Sequence, residues 1–264
     1  MQIIKLMRNI SYRAVYVWRR NLDVNLVTWQ TNFLPPILEP LLYIVAFGFV
    51  LGRYIEGITY AGMQLDFLTF IAPGMISVAI LYHSTFECMY GSFVRMYYQK
   101  TFDAIITTPL EIEDVIAGEI LWAATKSFFA ASIMLIVVSF FGLAVYPSSL
   151  VIVPLAFVAG LLFGSFGMIF AAICPSIDTL NLPVFLAVTP MFLFSGTFFP
   201  VEGLPLWGRI IANISPLTHV VAIARASTLS ILSVRQLPHL VYIVFVFVGL
   251  FVLAVHLMKR RLIK

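Results

Sequence analysis

The chain has 264 residues, of which 61% are hydrophobic and only 11% are charged, far below the roughly 25% of charged residues typical of soluble domains. The deficit extends over the whole length. It excludes a water-soluble enzyme or binding module and describes a single membrane domain, residues 1–264. A net charge of +4 is too small to mark a nucleic-acid surface and fits a basic bias in cytoplasmic loops, so no nucleic-acid partner is expected.

Residues 1–28 open the chain with Lys5, Arg8, Arg13, Arg19 and Arg20. These charges are spread out, and no compact apolar run with a cleavage site follows, so the segment is not a secretory signal. At about 100° per residue, the charges from Lys5 to Asp23 fall within an arc of about 140°. Ile3, Met7, Ile10, Ala14, Val17 and Trp18 lie opposite. The pattern predicts an amphipathic helix in the inner headgroup zone. Topology anchoring and partner docking both fit such a helix.

A spanning helix needs ~20 mainly apolar residues. Six stretches qualify: Phe33–Leu51, Phe67–Phe93, Val115–Phe141, Leu150–Ile173, Leu180–Phe199 and Leu237–Met258. The predicted fold class is therefore an all-α polytopic membrane protein with six transmembrane helices. Pro35, Pro36 and Pro40 break the start of the first span around Glu39. Glu39 either receives amides freed by that break or faces a substrate path. With the N-terminus inside, eleven Lys and Arg lie on the cytoplasmic side, against Arg53, Arg209, Arg225 and Arg235 outside. Both termini are therefore expected in the cytoplasm of a bacterial inner membrane. Cys88 and Cys174 fall near cytoplasmic span ends, where a structural disulfide is not expected. The external segment 200–236 is too apolar for a free loop. Its prolines, at 200, 205 and 216, predict two short helices that dip part-way into the outer leaflet; a helix capping the bundle is the plainer alternative.

Charges inside spans cost about 2.5–3.5 kcal/mol each on insertion scales, so each requires a reason. His83 and Glu87 stand at i and i+4 in the second span, and Glu119 and Lys126 share one face of the third. Their spacing predicts an intramembrane polar tie with a Glu87–Lys126 pair and His83 close by, rather than a proton relay, which needs further buried carboxylates. Gly160, Gly164 and Gly167 predict close helix packing in the fourth span. Phe192, Phe194, Phe198 and Phe199, ahead of Pro200, suit either an interfacial belt or a route for an amphiphile.

Six of the chain's charged residues gather in a polar island, residues 95–114, between the second and third spans. There Phe102, Ile105 and Ile106 form an apolar stripe, Asp103 opposes a helix dipole, and Pro109 ends the helix. Glu111, Glu113 and Asp114 then start the next helix. The chain has no phosphate-binding loop, no zinc-binding helix motif and no nucleophile elbow. It carries no cofactor motif of its own and is not expected to be an enzyme. Any driving energy must come from a gradient or from another subunit.

The segments Pro35-Pro36-Ile-Leu-Glu39-Pro40, Thr107-Thr108-Pro109, Phe194-Ser195-Gly196-Thr197-Phe198-Phe199-Pro200 and Asn213-Ile214-Ser215-Pro216-Leu217, in this order and spacing, resemble the membrane subunit of a type-2 ABC exporter over nearly the whole chain. Gly118-Glu119-Ile-Leu-Trp122-Ala-Ala-Thr125-Lys126 is similar to the permeases that export nodulation lipo-oligosaccharides. The resemblance implies a homodimer in membrane lipid with a separate ATP-binding cassette ATPase that holds ATP and magnesium. It makes the island helix a coupling helix, with Gln99, Lys100, Thr101, Phe102, Asp103, Ile105 and Thr108 facing that ATPase. It further implies a path along the first and fifth spans and an outer gate in segment 200–236, with Glu39 and the four phenylalanines as path or gate residues. The expected cargo is an amphiphilic lipid-linked glycan or lipo-oligosaccharide. A drug or haem exporter of the same architecture is the alternative. A polytopic lipid-modifying enzyme fits less well, because His83, Glu87 and Lys126 are its only catalytic candidates. The lack of a visible inverted repeat weighs against a gradient-driven transporter.

Overall fold

A computed structural model describes residues 11–27, 38, 41–55 and 57–263, with the backbone alone at 48, 49 and 53. Glu39, its flanking prolines, residues 1–10 of the predicted amphipathic helix and much of the predicted first span lie outside the described residues. The described chain is predominantly helical. Its helical segments are α1 (Ala14–Val27), α2 (Ile44–Val50), α3 (Phe67–Tyr98), α4 (Thr101–Ile106), α5 (Ile112–Phe140), α6 (Ser148–Ile173), α7 (Asp178–Phe194), α8 (Leu206–Ile214), α9 (Pro216–Thr228) and α10 (Val234–Leu262).

Four of these, α3, α5, α6 and α10, are long and apolar enough to cross a membrane. The pair α8–α9, bent by 84° at Ser215, makes a fifth candidate if it is counted as one span. The predicted fifth span begins as helix α7 but leaves helical geometry after Phe194, so Ser195–Phe199 run as irregular backbone. Gly196, at φ +76°, supports that departure. The composition had not suggested a hairpin between α2 and α3. There β1 (Ile58–Tyr60) pairs antiparallel with β2 (Met63–Leu65), Tyr60 opposite Met63. Ala61 and Gly62 between them both have positive φ, as a two-residue hairpin turn requires.

Close backbone approach organises the bundle. A Cβ on Gly167 would strike the Thr85 carbonyl of α3, and one on Gly160 would strike Ser127 and Ala124 of α5. The small-residue stripe of α6 thus lets α3 and α5 pack directly on it. One core cluster joins α3, α5, α6 and α9 through Ile76, Leu135, Phe163 and Val220. A second, around Phe93, Phe102, Ile116 and Met258, joins the far ends of α3, α5 and α10 to the short helix α4. Lys259 of α10 donates to Glu113 of α5 at 2.6 Å, and the Ser11 amide donates to Asp114 at 2.6 Å. The N-terminal helix and the C-terminal tail therefore sit at one end of the bundle, beside α4.

Candidate functional site

At that end, α1 lies against α5. Ala14, Val17 and Asn21 form its buried stripe, and Gly118 of α5 leaves room for the Ala14 carbonyl and the Val17 side chain. The apolar side predicted to enter lipid is, over its described part, turned toward protein. Trp18 Nε1 donates to Thr125 Oγ1 at 2.9 Å. Arg13 donates to the Pro109 carbonyl just after α4.

The stripe places Asn21 over a buried ionic network. Glu119 is fully buried. Its Oε1 accepts from Asn21 Nδ2 at 2.9 Å, and its Oε2 accepts from Ser92 Oγ at 2.7 Å and from Arg95 Nε and Nη2 at 2.9 and 2.5 Å. Arg95 Nη2 also donates to Glu87 Oε1 at 2.7 Å. Glu87 accepts from Trp122 Nε1 at 3.1 Å and from Lys126 Nζ at 2.8 Å. Arg95 thus bridges two carboxylates on different helices, with Lys126 as the second cation. The network carries two positive and two negative charges, with the hydrogen bonds that make burial of charge tolerable. By length, ~20 residues from Phe67 at ~1.5 Å each cover the ~30 Å hydrocarbon core. Glu87 and Arg95 then fall at headgroup depth.

A cavity of about 390 Å³ opens beside the network between α1, α3 and α5. A second, of about 410 Å³, is lined by Tyr82, His83, Phe86, Glu87 and Lys126. From these cavities a file of aromatic rings runs toward the opposite end. Successive centroid separations are 5.8 Å for Tyr90–Phe86, 5.3 Å for Phe86–Tyr82, 6.0 Å for Tyr82–Phe192, 5.2 Å for Phe192–Phe198 and 5.6 Å for Phe198–Phe47.

Helix α4 follows Lys100, whose left-handed backbone (φ 55°) makes the corner. Phe102 is fully buried in the second core, whereas Gln99, Lys100, Asp103 and Thr108 are exposed and Ile105 is half-buried. Thr101 Oγ1 accepts from Arg20 Nη2 at 3.4 Å, which connects α4 to α1. Phe102 therefore seats α4 on its own bundle, and the exposed residues around it face outward.

Residues 13–229 match the ABC-2 type transporter family model. The chain belongs to the ABC-2 type transporter family. Nodulation protein J of Rhizobium leguminosarum bv. trifolii is 32% identical over 96% of this chain and 95% of its own length. Nodulation protein J of Rhizobium meliloti is likewise 32% identical, over 96% and 95%. The inner membrane transport permease YadH of Escherichia coli is 21% identical over 78% of each chain.

In this ABC-2 transporter chain, the predicted polar residues do not all converge equally. Glu87, Glu119 and Lys126 meet in one network, and His83 lines the cavity next to it. Phe192 and Phe198 join the aromatic file; Phe194 turns instead to Trp207 of α8 at 5.6 Å, and Phe199 is exposed. Arg95, by sequence part of the polar island, instead lies on α3 and joins the two carboxylates. Its i+8 spacing from Glu87 along an unbroken helix was the available signal. Arg225, one of the four basic residues expected outside, is a further such case. It is buried, donates to Gly196 O at 2.8 Å and Phe70 O at 3.2 Å, and lies over the Phe70 ring at 3.8 Å. It fastens the irregular 195–199 segment to α3 and α9.

Proposed function

We propose that the chain is the membrane-spanning permease subunit of an ATP-binding cassette exporter that carries an amphiphilic lipid-linked glycan or lipo-oligosaccharide out of the cytoplasm. Two copies would form the permease, and a separate ATPase, with ATP and magnesium, would supply energy. The observation that carries the cargo class is the file of rings from Tyr90 to Phe47. Aromatic faces pack against the apolar faces of sugars and against acyl chains alike, and the polar cavity at one end of the file suits a hydrated headgroup. Similarity to the nodulation proteins points the same way. On this reading six spans cross the inner membrane. Both termini are cytoplasmic, as the basic residues of α1 and the tail favour.

Helix α4 would receive the ATPase stroke through its exposed residues Gln99, Lys100, Asp103 and Thr108, with Ile105 alongside. Phe102 and the Arg20–Thr101 contact would pass the stroke to α1 and the spans. The bent pair α8–α9 would form the outer re-entrant gate, with Phe194, Phe199 and Pro200 at its edge and Glu39 near the start of the path. Membranes carrying a tagged chain test the reading. A P-loop ATPase should co-purify under stringent washing, and the chain alone should hydrolyse no ATP. Repeated recovery without any ATPase would overturn it.

A further inference from the structure

The 390 Å³ cavity is more basic than the neutral network beside it. Arg20, Arg95 and Lys126 line it together with Glu87, and Glu119 stands directly behind. Three cations thus face two carboxylates, Arg95 and Lys126 being the ones paired with them. The added charge is Arg20. Among the described residues its guanidinium meets neutral oxygens, Asn21 Oδ1 at 3.2 Å and Thr101 Oγ1 at 3.4 Å. Lys126 has three ammonium donors and spends one on Glu87. Its long stem lets the ammonium reach from within the hydrocarbon toward the headgroup zone. Asn25 adds an amide donor to the wall. On the same helix Val24 and Val27 are exposed, the property of a surface in contact with acyl chains.

We propose that the cavity between α1, α3 and α5 binds the phosphate of an anionic lipid headgroup, with Arg20 and Lys126 as its counter-charges. The guanidinium fork of Arg20 matches phosphate oxygens bidentately, and the Lys126 ammonium adds a point charge from α5. Burial pulls Arg20 below the usual arginine range; Glu119 opposes that shift and Arg95 adds to it. A bound anion would offset both the desolvation and the repulsion from Arg95. The site lies at headgroup depth, where the phosphate of a bilayer lipid arrives with its acyl chains alongside α1. This is a binding property of the chain itself and does not rest on the export reading.

The test is native mass spectrometry of the delipidated full-length chain in detergent, titrated with phosphatidylglycerol, phosphatidylcholine or inorganic phosphate. Phosphatidylglycerol should occupy one tight site per chain, with phosphatidylcholine at least about tenfold weaker. Arg20→Gln should weaken phosphatidylglycerol by about tenfold, the scale of a lost charge-assisted contact. Arg20→Lys, which keeps the charge but loses the fork, should bind between the unaltered chain and Arg20→Gln. Arg19→Gln, an exposed neighbour on the same helix, should bind like the unaltered chain. Equal binding of the two lipids, or an Arg20→Gln chain that binds as tightly as the unaltered one, would overturn the proposal. Displacement of the lipid by millimolar inorganic phosphate would overturn it too, by showing a site for the free anion alone.

Discussion

Replacing Arg95 by glutamine strikes the one side chain that ties Glu87 to Glu119. The two carboxylates lose unequal amounts. Glu87 retains Lys126 at 2.8 Å and Trp122 at 3.1 Å. Glu119, fully buried, retains only the neutral donors Ser92 and Asn21. It becomes a buried charge without an ion-pair partner in contact, and breaking a buried pair in this way costs about 3–5 kcal/mol. Glutamine restores part of one hydrogen bond, so about 3 kcal/mol is expected in reversible unfolding from mixed micelles. The double variant Arg95→Gln/Glu119→Gln removes both charges and should regain at least about half of that loss, since a pair replaced whole leaves no orphan charge. A single-variant cost below about 1 kcal/mol, or losses that simply add in the double variant, would refute the reasoning that Arg95 exists to neutralise Glu119.

Further outcomes follow from the same packing. A double-mutant cycle with Glu87→Gln and Lys126→Gln should give a coupling of about 0.5–3 kcal/mol, and a coupling near zero removes the pair. Phe102→Ala should destabilise by about 3–5 kcal/mol through the cavity left beneath α4. Asp103→Lys, on the exposed side of the same helix, should change stability by no more than about 0.5 kcal/mol while lowering the transport obtained per ATP hydrolysed. Gly167→Ala drives a methyl onto the Thr85 carbonyl and should cost about 1–3 kcal/mol, read as a lower melting temperature; a neutral result would mean that α3 and α6 are free to part.

Long apolar runs were legible because the bilayer demands length. The helices found for α3, α5, α6 and α10 coincide with predicted spans to within a few residues at most ends. Gly160, Gly164 and Gly167 signalled close packing for the same kind of reason: a missing side chain matters only where another backbone arrives. The Glu87–Lys126 contact could be placed by counting residues from the span ends. Arg95 could not, because a charge at a span end reads as loop until the helix is known to continue through π-helical turns as far as Tyr98. The inward direction of Ala14 and Val17 was also hidden. Amphipathicity states which face is apolar but not whether lipid or protein covers it, and Gly118 decided the matter only once α5 stood beside it. Phe102 shows the same limit, since an apolar residue on a short exposed helix suits an anchor as well as a contact for a partner.

The proposed function is movement of an amphiphilic glycan by this chain on energy received from another subunit. It is tested most directly by ATP-dependent movement of a labelled lipo-oligosaccharide in vesicles holding the purified chain with its co-purifying ATPase. Movement should require both proteins and hydrolysable ATP. With Lys100→Glu/Asp103→Lys in α4, hydrolysis should continue while movement falls by about tenfold or more. Movement by the chain alone, driven by an ion gradient with no ATPase present, would contradict the account.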